Sequence, residues 1–316
     1  MSGRALKVEF EGAQGARLAA RLDLPAGKIR AFALFAHCFT CSKDLTVSRR
    51  IAESLTRAGM AVLSFDFTGL GGSGGEFADT SFSHNLADLR AAAAYMRQQF
   101  EAPALLIGHS LGGAAVLAVA ADIPEGKAVA TINAPADLTH VTGHFGDQLE
   151  TIHREGAAEV SLGDRPFTIR REFVEDLGAH DLETLVANLK RALLILHSPV
   201  DNVVGIDHAR RLFDAARHPK SFCSLDDADH LLSDKRDASY AAQVIAAWAT
   251  RYVDQDDAMP EETVEDGFVT VEETGQGTYQ NHVRIGPHRL VADEPVSVGG
   301  LGAGPTPYEF LSAALG

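Results

Sequence analysis

A serine lies in a pentapeptide whose composition suits nucleophilic catalysis. The pentapeptide Gly-His-Ser-Leu-Gly occupies residues 108–112, between an apolar run at 104–107 and a helical pattern that starts directly after the serine. Glycines around a serine allow a sharp, strained turn from strand to helix, where larger side chains would clash. Ser110 is therefore the candidate nucleophile. The alternative is a serine that only forms a turn or caps a helix.

Two later loops offer partners for this serine. A serine hydroxyl is a weak nucleophile at neutral pH, so it needs a base and a third group that orients the base. Asp201 follows the apolar run 193–196, and His230 follows the run 221–225. We expect His230 to act as the base and Asp201 to orient it, in a chain order known for such triads. The alternatives are a turn aspartate, with Asp207 as the substitute, and a surface histidine.

Attack on a carbonyl creates an oxyanion, which needs two backbone donors. The first is the N–H of Leu111, directly after the candidate nucleophile, and the second is expected in the loop that begins at His37. By position the N–H of Phe39 is the second candidate, with Thr40 as the fallback. The expected chemistry is acyl transfer to water, which requires no cofactor and no metal ion.

The elements that must position these residues alternate along the chain. Two runs of alternating polarity at 4–10 and 17–24 predict an opening hairpin. Fully apolar runs then alternate with helical patterns, which indicates a parallel sheet covered by helices on both faces. The apolar runs lie at 31–36, 61–65, 104–107, 128–132 and 193–196, and 221–225 is predicted as a further strand. The helical patterns lie at about 45–58, 84–99, 111–121 and 237–253. The predicted fold class is α/β, with eight strands.

An irregular stretch at about 135–190 interrupts this alternation. It contains charged helical patterns and a possible hairpin near 163–166. Ligands of such sheets bind beyond the carboxyl ends of the strands, and an insertion there can lie over the site. We expect a helical cap that shapes the substrate pocket.

An acidic stretch without apolar periodicity follows the last helical pattern. It divides the chain into a domain at 1–253, a linker at 254–266 and a segment at 267–316. That last segment shows three short β patterns up to residue 293 and a possible helix start near Pro307. Its length is marginal for an independent domain.

The pentapeptide, the loop led by His37, and the loops of Asp201 and His230 together resemble the α/β-hydrolase family over residues 4–253. The resemblance implies a serine hydrolase. A small carboxylic ester is the expected substrate, with thioesters, amides and peptides as alternatives on the same residues. The sequence departs from the family in having Cys38 where many relatives have glycine, and Thr68 where an arginine is common.

The C-terminal segment resembles a second family. The string Gly-Pro-Thr-Pro-Tyr-Glu at 304–309 is similar to the OsmC/Ohr family of hydroperoxide reductases. That resemblance implies an incomplete α+β domain, a homodimer, and a glutamate, here Glu309, that assists two cysteines. No cysteine follows Cys223, so the alternative function is a hydrolase accessory to a thiol peroxidase whose cysteines lie beyond this chain.

Two further patterns resemble binding motifs. Cys38 and Cys41 form C-x-x-C, and no second pair completes a zinc site, so we expect all three cysteines to be reduced thiols. A redox switch in the loop of Phe39 is the alternative. Glycines at 69–74 match a dinucleotide-binding pattern, but no helical pattern begins there, and a nucleotide site is not expected.

Composition excludes several classes of partner. The net charge is −15, from 43 acidic and 28 basic residues, which disfavours nucleic acids and anionic membranes. The hydrophobic fraction of 46% fits a globular protein. No apolar run long enough for a signal peptide or a membrane span is visible, so the expected location is the cytoplasm. The expected partners are a small-molecule ester and a second copy of the chain.

Overall fold

The computed structural model describes residues 4–27, 29–38, 42–43, 46–162, 165–253, 268–275, 277–286 and 288–315. The strands are β1 (Arg4–Glu11), β2 (Arg17–Leu24), β3 (Ala31–Ala36), β4 (Met60–Phe65), β5 (Leu105–His109), β6 (Ala128–Ile132), β7 (Ala157–Leu162), β8 (Arg165–Arg170), β9 (Ala192–His197), β10 (Lys220–Ser224), β11 (Val269–Glu273), β12 (Asn281–Ile285) and β13 (His288–Ala292). The α-helices are α1 (Thr46–Arg57), α2 (Phe82–Gln99), α3 (Leu111–Val119), α4 (Gln148–Glu155), α5 (Arg171–Leu177), α6 (Leu182–Ala187), α7 (Ile206–Ala215), α8 (Lys235–Val253) and α9 (Pro307–Leu315).

Eight strands form the main sheet in the order β1-β2-β4-β3-β5-β6-β9-β10. Strands β1 and β2 pair antiparallel, as do β2 and β4, and the pairs from β4 to β10 are parallel. The predicted fold class is thus confirmed. The strand order reverses at β3, which has β4 on one side and β5 on the other. Such a reversal opens a crevice at the carboxyl ends of the strands, where ligands bind.

The two faces of the sheet pack against different helices. Every residue of β3 is buried, and its side chains alternate: Phe32 and Leu34 join one apolar cluster, while Ala33 and Phe35 join the other. The first cluster also contains side chains of α2 and α3, and the second contains side chains of α1 and α8. Burial on both faces explains why these strands are continuous apolar runs in the sequence.

Helix α3 is the most enclosed helix at the site. Eight of its nine residues are buried. Its sequence is glycine, alanine, valine and leucine throughout, which is typical of a helix covered on all sides. The position of its first residue is therefore fixed by packing around its whole circumference.

The insertion at 135–190 contains a 3₁₀ helix at Leu138–Phe145, the helices α4 to α6, and the β7–β8 hairpin. The hairpin predicted near residues 163–166 is confirmed by the antiparallel pairing of β7 and β8. The insertion contacts the start of α2. Asp176 accepts hydrogen bonds from the backbone N–H and the hydroxyl of Ser83, at 2.7 and 2.6 Å.

Residues 268–315, the C-terminal segment, form a separate three-stranded antiparallel sheet, β11-β12-β13, followed by α9. This confirms the three β patterns and the helix start at Pro307. The linker predicted at 254–266 lies outside the described residues. In the described part of the chain, no helix is long and apolar enough to cross a membrane.

Candidate active site

Ser110 lies in the turn between β5 and α3, as its sequence predicted. Its backbone has φ +54° and ψ −123°. A positive φ costs a non-glycine residue on the order of 1–3 kcal/mol, and such strain persists only where surrounding contacts enforce it. Here the N–H of Ser110 donates to the carbonyl of Ile132 at 2.8 Å, and its own carbonyl accepts from Gly113 at 2.8 Å. The turn is thus held from both sides.

The glycines of the pentapeptide are required by close backbone approach. A Cβ at Gly108 would overlap the carbonyl of Gly112, and a Cβ at Gly112 would overlap the carbonyl of His37. The first contact lets the chain reverse tightly around the serine. The second brings the loop after β3 against the start of α3. The turn at residues 108–112, called the elbow below, and the loop that begins at His37 therefore lie side by side.

The structure brings the three predicted residues into one chain of hydrogen bonds. The hydroxyl of Ser110 lies 2.9 Å from Nε2 of His230, and Nδ1 of His230 lies 2.7 Å from Oδ2 of Asp201. All three residues are at most 8% exposed. Asp207, the substitute considered for Asp201, lies in α7, where its exposed side chain pairs with Arg210. The arrangement therefore selects Asp201.

The carboxylate of Asp201 is held in its ionised form. Its other oxygen, Oδ1, accepts the backbone N–H groups of Val203 and Val204 at 2.8 and 2.9 Å. Burial opposes the charge, but the hydrogen bond from His230 and these backbone donors outweigh it and lower the pKa of Asp201. An ionised Asp201 accepts the Nδ1–H of the imidazole, which leaves Nε2 free to accept the proton of Ser110.

Leu111, one of the two expected oxyanion donors, is the first residue of α3. The first N–H groups of a helix have no partner within the helix and carry its positive dipole end. Phe39 and its fallback Thr40 lie outside the described residues. The flanks of their loop are anchored: His37 Nδ1 donates to the carbonyl of Cys38 at 2.7 Å, and the backbone N–H of Lys43 donates to Asp66 at 2.7 Å.

The structure differs from the expectation that all three cysteines are reduced thiols. Cys223 is a free thiol, as predicted, but Cys38 is disulfide-bonded. Cys41 lies outside the described residues. The prediction of a reduced thiol is wrong for Cys38, because C-x-x-C spacing alone does not determine whether the local backbone brings a second sulfur within bonding distance.

The glycine-rich turn after β4 has a structural role. A Cβ at Gly71 would overlap the carboxylate of Asp66, and Gly69 donates to the carbonyl of Gly74 at 2.9 Å. Thr68, at the position where an arginine is common, donates its backbone N–H and its hydroxyl to Asp88 at 3.0 and 2.8 Å. These contacts fold the turn around a buried carboxylate and fasten it to α2.

A small pocket lies beside the first turn of α3. Its walls are mainly apolar and aromatic, and they belong to His37, Cys38, Phe67, Leu70, Phe77, Asn85, Leu111, Gly112 and Ala115. Phe77 contacts Phe167 of the insertion, with ring centroids 4.8 Å apart. The insertion thus borders the residues that wall the pocket. Among the described residues, no cluster of three or more His, Cys, Asp or Glu could hold a metal ion.

Two buried polar residues next to the site were not singled out from the sequence. His109 and Asn133 both contact the main chain of His230. Asn133 had a visible signal, since it is a polar residue directly after the predicted strand 128–132, at a strand end on the same edge as Ser110. His109 had none, because the residue before the nucleophile is variable in the pattern.

Comparison with known proteins shows what this chain is similar to. The crystal structure of the esterase domain of a Rhodothermus marinus protein is 53% identical, with a TM-score of 0.67, and the match covers 79% of this chain and 99% of that one. A family model described as serine aminopeptidase, S33, matches residues 28–146. No curated protein matches the chain.

Two more distant structures share the fold. Est1E from Butyrivibrio proteoclasticus with bound ferulic acid is 18% identical, with a TM-score of 0.65, over 78% of this chain and 99% of that chain. Alpha/beta hydrolase domain-containing protein 10 from mouse is 22% identical, with a TM-score of 0.64, over the same shares of the two chains. None of these matches supports the resemblance of the C-terminal segment to the OsmC/Ohr family.

Proposed function

The chain belongs to the α/β-hydrolase family and is a serine hydrolase of the esterase type, and we propose that it cleaves small carboxylic esters through an acyl intermediate on Ser110. The observation that carries the proposal is the hydrogen-bonded chain from Ser110 through His230 to Asp201. A serine strained at positive φ, with an imidazole at 2.9 Å, has the contacts that an activated nucleophile needs.

In the first half-reaction, Oγ of Ser110 attacks the ester carbonyl carbon while its proton passes to Nε2 of His230. Asp201 stabilises the imidazolium through Nδ1–H. The carbonyl π electrons move to oxygen, and the N–H groups of Leu111 and Phe39 stabilise that oxyanion. When the intermediate collapses, the C–O bond to the alcohol breaks and His230 gives its proton to the leaving alkoxide. The acyl group remains on Ser110 as an ester.

In the second half-reaction, water attacks the acyl group as His230 takes one of its protons. The new tetrahedral intermediate uses the same oxyanion donors. Its collapse breaks the bond to Oγ of Ser110, which recovers a proton from His230, and the carboxylic acid leaves. No redox partner is consumed, and the enzyme returns to its starting protonation state.

Two observations bear on the substrate. The esterase-domain relative at 53% identity favours an ester, whereas the family model named for an aminopeptidase favours an amide bond as the second candidate. The pocket beside Leu111 has apolar and aromatic walls, which suits an uncharged acyl group. An acyl thioester would satisfy the same contacts.

The test compares the hydrolysis of ester, thioester and amide bonds. Hydrolysis is measured for p-nitrophenyl esters of increasing acyl length, for an acyl thioester, and for an aminoacyl p-nitroanilide, with wild-type protein and Ser110→Ala. We expect ester hydrolysis to be fastest and to be lost in the variant. Faster anilide cleavage would assign a peptidase, and equal ester rates in both proteins would show that Ser110 is not the nucleophile.

For the C-terminal segment we propose a homodimer contact of the OsmC/Ohr type. The support is an apolar surface: among the described residues, ten of the fifteen exposed large apolar side chains lie in 268–315. The outer strands β11 and β13 each pair on one edge only within the described residues. Light scattering of the full chain is expected to give the mass of a dimer, and a monomeric mass would contradict the proposal.

A further inference from the structure

The main-chain carbonyl of His230 is held by two buried side chains that the proposed reaction does not use. Nε2 of His109 lies 2.7 Å from this oxygen, and Nδ2 of Asn133 lies 3.1 Å from it. Both side chains belong to residues with no solvent exposure. Buried polar groups are expensive unless they are paired, so two of them directed at one carbonyl indicate a specific role.

The direction of both hydrogen bonds is fixed by chemistry. A carbonyl oxygen can only accept, so His109 must carry its proton on Nε2, and the amide nitrogen of Asn133 must face the carbonyl. The two donors occupy both lone pairs of the oxygen. His109 is neutral in this arrangement, since burial, reinforced by His230 nearby, lowers its pKa to about 3.

Asn133 connects three strand ends at once. Its backbone N–H donates to the carbonyl of Leu196 at 2.9 Å, and its Oδ1 accepts the N–H of Ser198 at 3.0 Å. Ser198 begins the loop that carries Asp201, and its hydroxyl donates to the carbonyl of Asp226 in the loop of His230. Asn133 has φ +48°, a conformation that asparagine adopts more readily than most residues. One side chain therefore links the loop of the acid to the loop of the base.

His109 makes the corresponding link to the nucleophile. It is the last residue of β5 and directly precedes Ser110. Its ring lies against that of His230, with centroids 5.3 Å apart. A displacement of the His230 main chain away from Ser110 would lengthen the hydrogen bond from His109.

We propose that His109 and Asn133 are positioning residues that fix His230 between Ser110 and Asp201 by holding its backbone carbonyl. The inference rests on the proposed function, because it concerns the placement of the base in that reaction. Side-chain rotation alone cannot correct a displaced backbone without lengthening one of the two imidazole contacts. A misplacement of about 1 Å in a catalytic group costs roughly 100-fold in rate.

The test uses three variants in the full-length chain. His109→Leu removes one donor, His109→Gln retains a donor at a similar reach, and Asn133→Gly removes the other donor while tolerating the positive φ. With p-nitrophenyl acetate as the probe, we expect kcat to fall roughly 10- to 100-fold in His109→Leu and Asn133→Gly, with KM unchanged. His109→Gln is expected to recover most of the loss.

The same substitutions in a protein that already carries His230→Ala distinguish a positioning role from a general disturbance of the structure. A residue that acts through His230 has nothing to position once the imidazole is gone, so the same substitutions made in His230→Ala should leave its residual rate unchanged. Circular dichroism identifies any variant that fails to fold. If either His109→Leu or Asn133→Gly fails to fold, the other of these two variants decides the result.

Two outcomes would overturn the inference while leaving the proposed function intact. One is a wild-type kcat in both donor variants. The other is an equal fold loss in the wild-type and His230→Ala backgrounds. If Ser110→Ala retains the wild-type ester rate, the proposed function itself is wrong, and the positioning role fails with it.

Discussion

The eight-stranded region and the C-terminal segment differ in how far their apolar side chains are buried. In the first, two apolar clusters cover the two faces of the sheet, and one of them extends into the insertion. In the second, no described residue joins either cluster, and side chains such as Phe268 and Leu311 are more than half exposed. The first region has a core of its own, whereas the second presents its apolar surface outward.

Their buried polar groups differ in the same way. In the eight-stranded region, buried Asp201 and Asn133 connect loops from several strands and converge on His230. In the C-terminal segment, buried Asp293 accepts backbone N–H groups from the loop that follows it, including those of Leu301 and Ala303. A self-contained core can hold polar groups at a precise site, whereas Asp293 of the segment shapes the loop next to it. The comparison predicts that catalysis depends on one region and association on the other.

The largest expected effect is that of Ser110→Ala. Removal of the nucleophile in a serine protease costs on the order of 10⁶-fold in kcat, and a comparable loss is expected here. The control is Ser312→Ala in the C-terminal segment, where an exposed hydroxyl donates to the carbonyl of Tyr308. Steady-state ester hydrolysis should separate the two. Equal loss in both variants would break the distinction between the regions.

The next effect is that of Asp201→Asn. An amide cannot stabilise the imidazolium and favours the wrong tautomer of His230, which costs about 10⁴-fold in kcat in a comparable triad. Asp207→Asn is the matched control, because Asp207 is exposed on α7 and was the substitute candidate for the same role. Its kcat should equal that of the wild type. A strong loss in Asp207→Asn would contradict the assignment of the acid.

A smaller effect concerns stability against pH in the eight-stranded region. His109 has a folded pKa of about 3, and the charged or titratable groups that influence it are His230, Asp201 and His37. The pKa of a histidine in an unfolded chain is about 6.5. Below that pH the unfolded chain therefore binds a proton on His109 that the folded chain does not bind. The stabilising contribution of neutral His109 is complete above about pH 6.5 and is lost as the pH falls towards 3.

The measurement is urea unfolding between pH 7 and pH 5 in wild type and His109→Gln. The wild-type free energy of unfolding should fall by up to about 1.4 kcal/mol more per pH unit than that of the variant. The free energy of unfolding of the variant still falls with decreasing pH, because burial also lowers the pKa values of His37 and His197. Identical slopes would show that His109 is not held neutral.

The smallest expected effect on catalysis is that of removing everything after Val253. The esterase domain that matches 79% of this chain was solved without an equivalent of the remainder, which supports independent folding of residues 1–253. We expect an unchanged kcat/KM and a change from dimer to monomer by light scattering. A large loss of activity would mean that the segment contributes to the site.

The centre of the main sheet could be predicted closely because strands β3, β4, β5, β6 and β9 are buried on both faces. The run 31–36 is apolar from end to end, the run 128–132 has Thr131 as its one polar residue, and the structure gives the same limits for both strands. Ser110, Asp201 and His230 could be proposed together because each follows a predicted strand, and the carboxyl ends of parallel strands meet at one edge. These inferences need only local pattern and topology.

The remaining features depend on contacts between distant residues, which local patterns do not contain. The bond from His109 to His230 spans 121 positions and arises from how the last loop folds over the elbow. The contact between Phe77 and Phe167 depends on how the insertion docks, and the disulfide of Cys38 on the local backbone path. The role of Phe39 stays a prediction, because that residue lies outside the described part of the chain.

The most direct test of the central claim is covalent labelling by an alkyl fluorophosphonate, followed by peptide mass spectrometry. We predict one phosphonyl group per chain, attached to Ser110, in the full chain and in residues 1–253 alike, with labelling much slower in His230→Ala. A label on another residue, or undiminished labelling of Ser110 in His230→Ala, would contradict the account of a serine activated by that histidine.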